Sequence, residues 1–124
     1  MKQRHIVIIE DDESLVRLLS DVLNQEHFNI TLALPTPEYL KQIVTQQPAL
    51  IILDVMLPGE SGFEFLEELK ANHRTQHIPV VILSNLGQDA EIRRAKTLGA
   101  VDYIVKSDHS IEEISQRIKR IVAA

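Results

Sequence analysis

The pattern of apolar and polar positions changes period several times along the chain. His5-Ile6-Val7-Ile8-Ile9 and Ala49-Leu50-Ile51-Ile52-Leu53 are apolar without alternation. Such runs fit strands of a parallel sheet covered by helices on both faces. Between them the period becomes helical. Leu15, Leu18, Leu19, Val22 and Leu23 share one face of a helix that Asp12 or Ser14 caps. Residues 29–34 read as a second strand. Thr36-Pro37 supplies an N-cap and a proline at the first helical position. That helix runs to about Gln46, and Pro48 blocks its continuation. The third strand ends at Asp54. Residues 55–61 read as a loop, with Pro58, Gly59 and Gly62 marking turns. A third helix carries Phe63, Leu66 and Leu69 and ends near Asn72. Pro79 opens a fourth strand, residues 80–83, that ends at Ser84. A fourth helix runs from about Asp89 to Leu98 and stops at Gly99, a C-cap. Residues 103–105 form a short fifth strand ending at Lys106. Ser110-Ile111-Glu112-Glu113 has the form of a capping box. It opens a last helix with Ile111, Ile114, Ile118 and Ile121 on one face. Alternation of this kind predicts an α/β domain, a parallel sheet with right-handed crossovers.

Length and composition narrow this picture. The chain has 124 residues, one domain spanning 1–124, and is 44% hydrophobic, enough for a core at that size. A net charge of -5 argues against nucleic acid as a direct partner. The absence of cysteine excludes disulfides, zinc thiolates and thiol nucleophiles. Met1-Lys2-Gln3-Arg4-His5 lacks the apolar stretch of a signal peptide, and no apolar run reaches membrane-spanning length. A cytoplasmic protein with no membrane contact is therefore expected. No repeat or linker is visible, and the chain stops where the fifth helix stops, so no effector domain is expected within it.

The chemistry gathers at the carboxyl ends of the strands: Glu10 and Asp11, Asp54, Ser84, Lys106. In open sheets of this kind, ligands bind outside those ends. If the first and third strands are neighbours, Glu10, Asp11 and Asp54 crowd together. Close carboxylates raise each other's pKa unless a cation joins them. Oxygen-only ligands in a water-accessible crevice suit Mg²⁺. An Asp beside such a cation can attack phosphoryl groups. A hydroxyl and an ammonium complete what phosphoryl transfer needs, because its catalysis is mostly positioning and charge neutralisation.

Four segments, each at a strand end, resemble a known family along the whole chain. They are Ile8-Ile-Glu-Asp-Asp12, Asp54-Val-Met-Leu-Pro-Gly-Glu-Ser-Gly62, Val81-Ile-Leu-Ser84 and Gly99-Ala-Val-Asp-Tyr-Ile-Val-Lys106. Together they resemble the receiver domain of bacterial two-component response regulators, as in the chemotaxis regulator. The resemblance implies a flavodoxin-like, doubly wound sheet of five strands in order 2-1-3-4-5 with five helices on both faces. It implies Asp54 as phosphoacceptor. It implies Glu10, Asp11 and Asp54 with the Met56 backbone carbonyl as ligands of Mg²⁺ or Mn²⁺. Lys106 would pair with the phosphoryl group, and Ser84 would be the switch hydroxyl. Tyr103 would be the aromatic residue that turns inward with Ser84. The implied partners are a histidine kinase or histidine phosphotransfer protein, and a downstream protein on the face of the fourth helix, fifth strand and fifth helix. That face would also serve a homodimer formed on phosphorylation. A receiver is a signalling switch, not an enzyme acting on other molecules.

Two positions depart from the family pattern. Ser107 stands where proline usually follows the lysine, so a trans or a strained bond is expected there. Asn85 is bulkier than the usual small residue after the hydroxyl. Met56 and Leu86 offer no polar group to hold an attacking water, which predicts a long-lived phosphorylated form. The alternative is a Mg-dependent phosphohydrolase working through an aspartyl-phosphate. It would want a second Asp where Met56 stands and a cap insertion. A degenerate scaffold would lack the complete acid, hydroxyl and lysine set. A flavin carrier would not place three carboxylates beside a phosphate. Taken singly, these residues read blandly: Lys106 as a surface lysine, Tyr103 as core. The histidines (His5, His27, His73, His77, His109) read as surface, and Arg93, Arg94, Lys96, Arg117, Lys119 and Arg120 as solvated faces.

Overall fold

The structure, a computed structural model, describes residues 4–57 and 60–123. The turn residues Pro58 and Gly59 therefore lie outside the described residues, as do residues 1–3. Five parallel strands form the sheet: β1 (Arg4–Ile9), β2 (Phe28–Ala33), β3 (Leu50–Leu53), β4 (Val80–Ser84) and β5 (Asp102–Val105). Their order is β2-β1-β3-β4-β5, as expected. The helices are α1 (Glu13–Gln25), α2 (Pro37–Gln46), α3 (Gly62–Ala71), α4 (Asp89–Thr97) and α5 (Ile111–Ala123).

Side-chain alternation along the buried strands divides the core in two. Val7, Ile9, Ile51, Leu53, Ile82 and Tyr103 face α2, α3 and α4 through Ile43, Phe63, Leu66, Leu69 and Ala95. Ile6, Ile8, Leu50, Ile52, Val81 and Ile104 face α1 and α5 through Val16, Leu19, Leu23, Ile114 and Ile118. Each fully buried Leu or Ile contributes about 1.5–3 kcal/mol of transfer free energy. Apolar on both faces, β1, β3 and β4 show no alternation in sequence.

The caps follow the local chemistry. Asp12, not Ser14, caps α1, its side chain accepting from Leu15 N at 3.2 Å. Thr36 caps α2 ahead of Pro37. Gly99 follows α4 with φ +110°, and Ser110 and Glu113 bond each other's backbone N–H at 3.2 and 2.9 Å.

Some boundaries and faces differ from expectation. Leu18 is half-exposed, while Val16 faces the sheet. Residues 16, 19 and 23 form the buried stripe, and the sequence pattern alone did not separate them from their apolar neighbours. β2 starts and ends one residue early, β5 begins one residue early, and α4 ends at Thr97. Residues 56–61 are not all loop: Met56–Leu57 and Glu60–Ser61 pair antiparallel as a short hairpin. His5 is partly buried against the Thr31 hydroxyl rather than fully exposed.

Candidate functional site

Sheet register assembles the site. Ile9 pairs with Leu53, so the chain leaves both strands at the same level and Glu10 and Asp54 emerge side by side. Asp54 N donates to Ile9 O at 2.9 Å, locking that level. Leu53 pairs with Ile82, and Ser84 with Val105, which places Ser84 and Lys106 beyond the same edge. Gly62 opens α3 directly against the Asp54 backbone. A Cβ there would run into the Asp54 carbonyl oxygen and Val55 Cα, so only glycine fits.

The Asp54 carboxylate is buried, with 5% of its side chain exposed. Its Oδ1 accepts from Met56 N at 2.8 Å and its Oδ2 from Lys106 Nζ at 3.1 Å. Burial opposes ionisation of Asp54, but the Met56 N–H, the Lys106 ammonium and the Ser84 hydroxyl outweigh it, so its pKa falls. Glu10 differs. Only 1% of its side chain is exposed, and burial pushes its pKa up to about 7 against the pull of Lys106 and the Asp12 N–H. The Asp54 charge adds to that rise. Burial lowers the Lys106 pKa, but the two carboxylates outweigh it and the net shift is upward.

Glu10 Oε1 accepts from the backbone of Asp11 and Asp12 at 3.1 and 3.0 Å. Its Oε2 is buried and lies 2.7 Å from Lys106 Nζ as an ion pair. Oxygens of Glu10, Asp11 and Asp54 lie within 4.8 Å of one another, with Asp11 exposed to solvent. Three converging carboxylates with a single ammonium between two of them are a donor set that suits a hard divalent cation.

Ser84 is fully buried and its Oγ accepts from Leu86 N at 3.3 Å. Tyr103 is packed inward, its hydroxyl donating to the Leu86 carbonyl. Burial, then the Glu91 and Asp54 charges, raise its pKa. Asn85 points outward and is exposed. Ser107 lies in a 3₁₀ turn over Lys106–Asp108, and every peptide bond among the described residues is trans.

Sequence reasoning missed the Glu10–Lys106 pair. The available signal was the longer Glu as first member of the acidic pair. Read as solvated or partner-docking positions, Arg94, Arg117 and Lys119 also make contacts within the domain. Arg94 lies 4.3 Å from the Phe63 ring centroid, Arg117 clasps Asp102, and Lys119 meets Glu26 at 3.2 Å.

The family of the response regulator receiver domain matches residues 6–119. The chain belongs to that family. It is 36% identical over 119 residues to the phosphate regulon transcriptional regulatory protein PhoB of Escherichia coli, covering 96% of this chain and 52% of that protein. It is 33% identical over 126 residues to chemotaxis protein CheV2 of Helicobacter pylori, covering 98% of this chain and 39% of that protein. The chain thus spans about half the length, or less, of these curated relatives. A putative response regulator from Chloroflexus aurantiacus superposes with a TM-score of 0.87 at 28% identity, covering 99% of this chain and 100% of that one. A BeF3-activated DrrB receiver domain superposes at 0.83 and 25% identity, with the same coverage. This receiver is a signalling domain with the doubly wound flavodoxin-like fold, and no helix among its described residues is long and apolar enough to cross a membrane.

Proposed function

We propose that this receiver is a phosphorylation switch in the cytoplasm whose phosphoacceptor is Asp54. The observation that carries the reading is the Asp54 carboxylate: buried at a strand end, kept ionised by the Met56 N–H and the Lys106 ammonium, and open to the oxygens of Glu10 and Asp11. The donor would be a phosphohistidine of a kinase or phosphotransfer protein. An Asp54 oxygen forms the new bond to phosphorus as the phosphorus–nitrogen bond breaks, and the histidine leaves with the electron pair and takes a proton. Glu10, Asp11 and Asp54 with the Met56 carbonyl would hold Mg²⁺ or Mn²⁺, which supplies charge neutralisation to the carboxylates and the phosphoryl oxygens. Lys106 and Ser84 would each take a phosphoryl oxygen.

Readout would run through Ser84 and Leu86. The Leu86 N–H bonds Ser84 Oγ and the Leu86 carbonyl takes the Tyr103 hydroxyl, so a shift of Ser84 reaches Tyr103 through one residue. Tyr103 lies on β5 beside α4, and α4, β5 and α5 form the docking face for a downstream protein or a second copy. The test is acetyl phosphate with Mg²⁺, read by intact mass. One phosphoryl group should add to the wild type and none to Asp54→Asn; a phosphorylated Asp54→Asn overturns the assignment.

A further inference from the structure

The five-stranded sheet has two edges, β2 and β5, and they are guarded differently. An edge strand offers unpaired backbone N–H and C=O groups to any other chain, and charge, proline or brevity normally blunts it. β5 has four residues, carries Asp102 under the Arg117 clasp, and runs into Lys106. β2 has six residues, Phe28–Ala33, and neither it nor Leu34 after it carries a charge or a proline. Leu32 and Leu34 are 55% and 59% exposed. The Tyr39 hydroxyl donates to the Leu32 carbonyl, and a carbonyl oxygen accepts a second donor. Beside this edge, Arg17 and Asp21 of α1 line a groove together with Val16, Ser20 and Leu32. Both are exposed, and neither makes an ion pair among the described residues.

We propose that β2 is a homodimer interface: it pairs antiparallel with β2 of a second copy and joins the two sheets into one. This contact lies on the opposite edge from the α4–β5–α5 face and does not depend on phosphorylation. A second copy is the occupant because the edge is complementary to itself. Phe28 and Ile30 pack toward α1, and Leu32 lines the groove on that side. A two-fold axis at Ile30 sets Phe28 opposite the partner's Leu32, and apolar side chains directly opposite each other hold strands together. The exposed Leu32 of each copy is then covered. α1 runs antiparallel to β2 on the same face, so the axis also brings α1 beside its own copy, running the opposite way. Arg17 and Asp21 are one turn apart on α1, and the reversed direction sets Arg17 of each copy against the partner's Asp21. In the same register Glu13 meets the partner's Gln25, which carries no charge. A chain of net charge -5 repels its copy. An uncharged strand flanked by two such cross-pairs removes that repulsion locally.

The test uses the unphosphorylated chain, so its failure is separate from failure of the phosphoacceptor assignment. Sedimentation equilibrium over a concentration series should show monomer and dimer interconverting; a monomer at every concentration overturns the proposal. Leu32→Lys changes an exposed position and should weaken the dimer about tenfold, since a lysine on an edge strand opposes pairing. Arg17→Asp and Asp21→Arg should each weaken it to a similar degree by setting like charges across the axis. Mixed in equal amounts, these two variants should regain the wild-type strength, because one supplies two acidic side chains and the other two basic ones. A mixture no stronger than either variant alone overturns the proposal. Arg117→Ala, on the other edge, should leave the dimer as it is; a dimer lost there and kept in Leu32→Lys overturns it too. Amide hydrogen exchange gives a readout that needs no variant. Exchange over residues 28–32 should slow as the wild-type concentration rises, and exchange indifferent to concentration overturns the proposal as well.

Discussion

β5 carries an ion pair at each of its ends, and the two are built differently. At its start, Asp102 meets Arg117 of α5 through Nη2 at 2.7 and 2.6 Å and Nε at 3.1 Å, with the side chains 22% and 32% exposed. Asp102 Oδ1 also accepts from Tyr103 N. This pair is forked, wet and saturated. At its end, Lys106 serves two carboxylates that are 1% and 5% exposed. The first arrangement is finished. The second holds more charge than its contacts satisfy, which is the condition for taking up a cation and a phosphoryl group.

Breaking each pair from its cationic side should expose the contrast most sharply. Without divalent cation near neutral pH, Lys106→Ala should lose up to about 3 kcal/mol in urea denaturation, because it strands buried carboxylates. Added Mg²⁺ should restore part of that loss. A loss no larger than that for Arg117→Ala would show that water screens the crevice as well as the surface.

The crevice should also set the pH dependence. The Glu10 pKa is about 7 in the folded chain against an ordinary value of 4.5, so the folded state binds its proton more tightly. Stability should therefore fall as pH rises from about 4.5 to about 7, read as melting temperature without metal. Asp54, with its lowered pKa, contributes in the opposite sense, losing its stabilisation only at more acid pH. Glu10→Gln should flatten the fall, and Mg²⁺ should raise the melting temperature most at the alkaline end. No change of slope in Glu10→Gln would assign the trend to other groups.

Water at the rim is the next control. Met56 is half-exposed and Leu86 partly buried, and neither side chain orients a water. Met56→Asn and Leu86→Glu should speed phosphate release several-fold, about 1 kcal/mol of barrier. A time course no faster than wild type would remove apolar flanking as the cause of a long lifetime. The smallest effect is expected at the other end of β5: Arg117→Ala should cost under about 1 kcal/mol, since an exposed pair contributes little.

How much of this was legible from sequence depended on the range of the interactions. Unalternating Ile, Val and Leu marked β1 and β3 because each is apolar on both faces. The capping box at Ser110 and the proline after Thr36 marked helix starts because those signals act within four residues. The half-exposed β2 was placed one residue late. The Met56–Leu57 ribbon was missed, since two-residue strands carry no period. Leu18 and Val16 could not be told apart until the sheet supplied a direction.

Sequence by itself determined the succession of strands and helices along the chain, the caps at Thr36 and Ser110, and which residue types stand at the carboxyl ends of the strands. These follow from local propensity and from the spacing of apolar side chains. Tertiary structure decided who shares Lys106. The register of Ile9 with Leu53 and of Ser84 with Val105 brings groups from four strand ends to one place. At that place the length of Glu10 and the loss of water turn a list of acids into a buried, incompletely neutralised cluster. Distance and desolvation belong to the assembled fold, so no spacing along the chain encodes them.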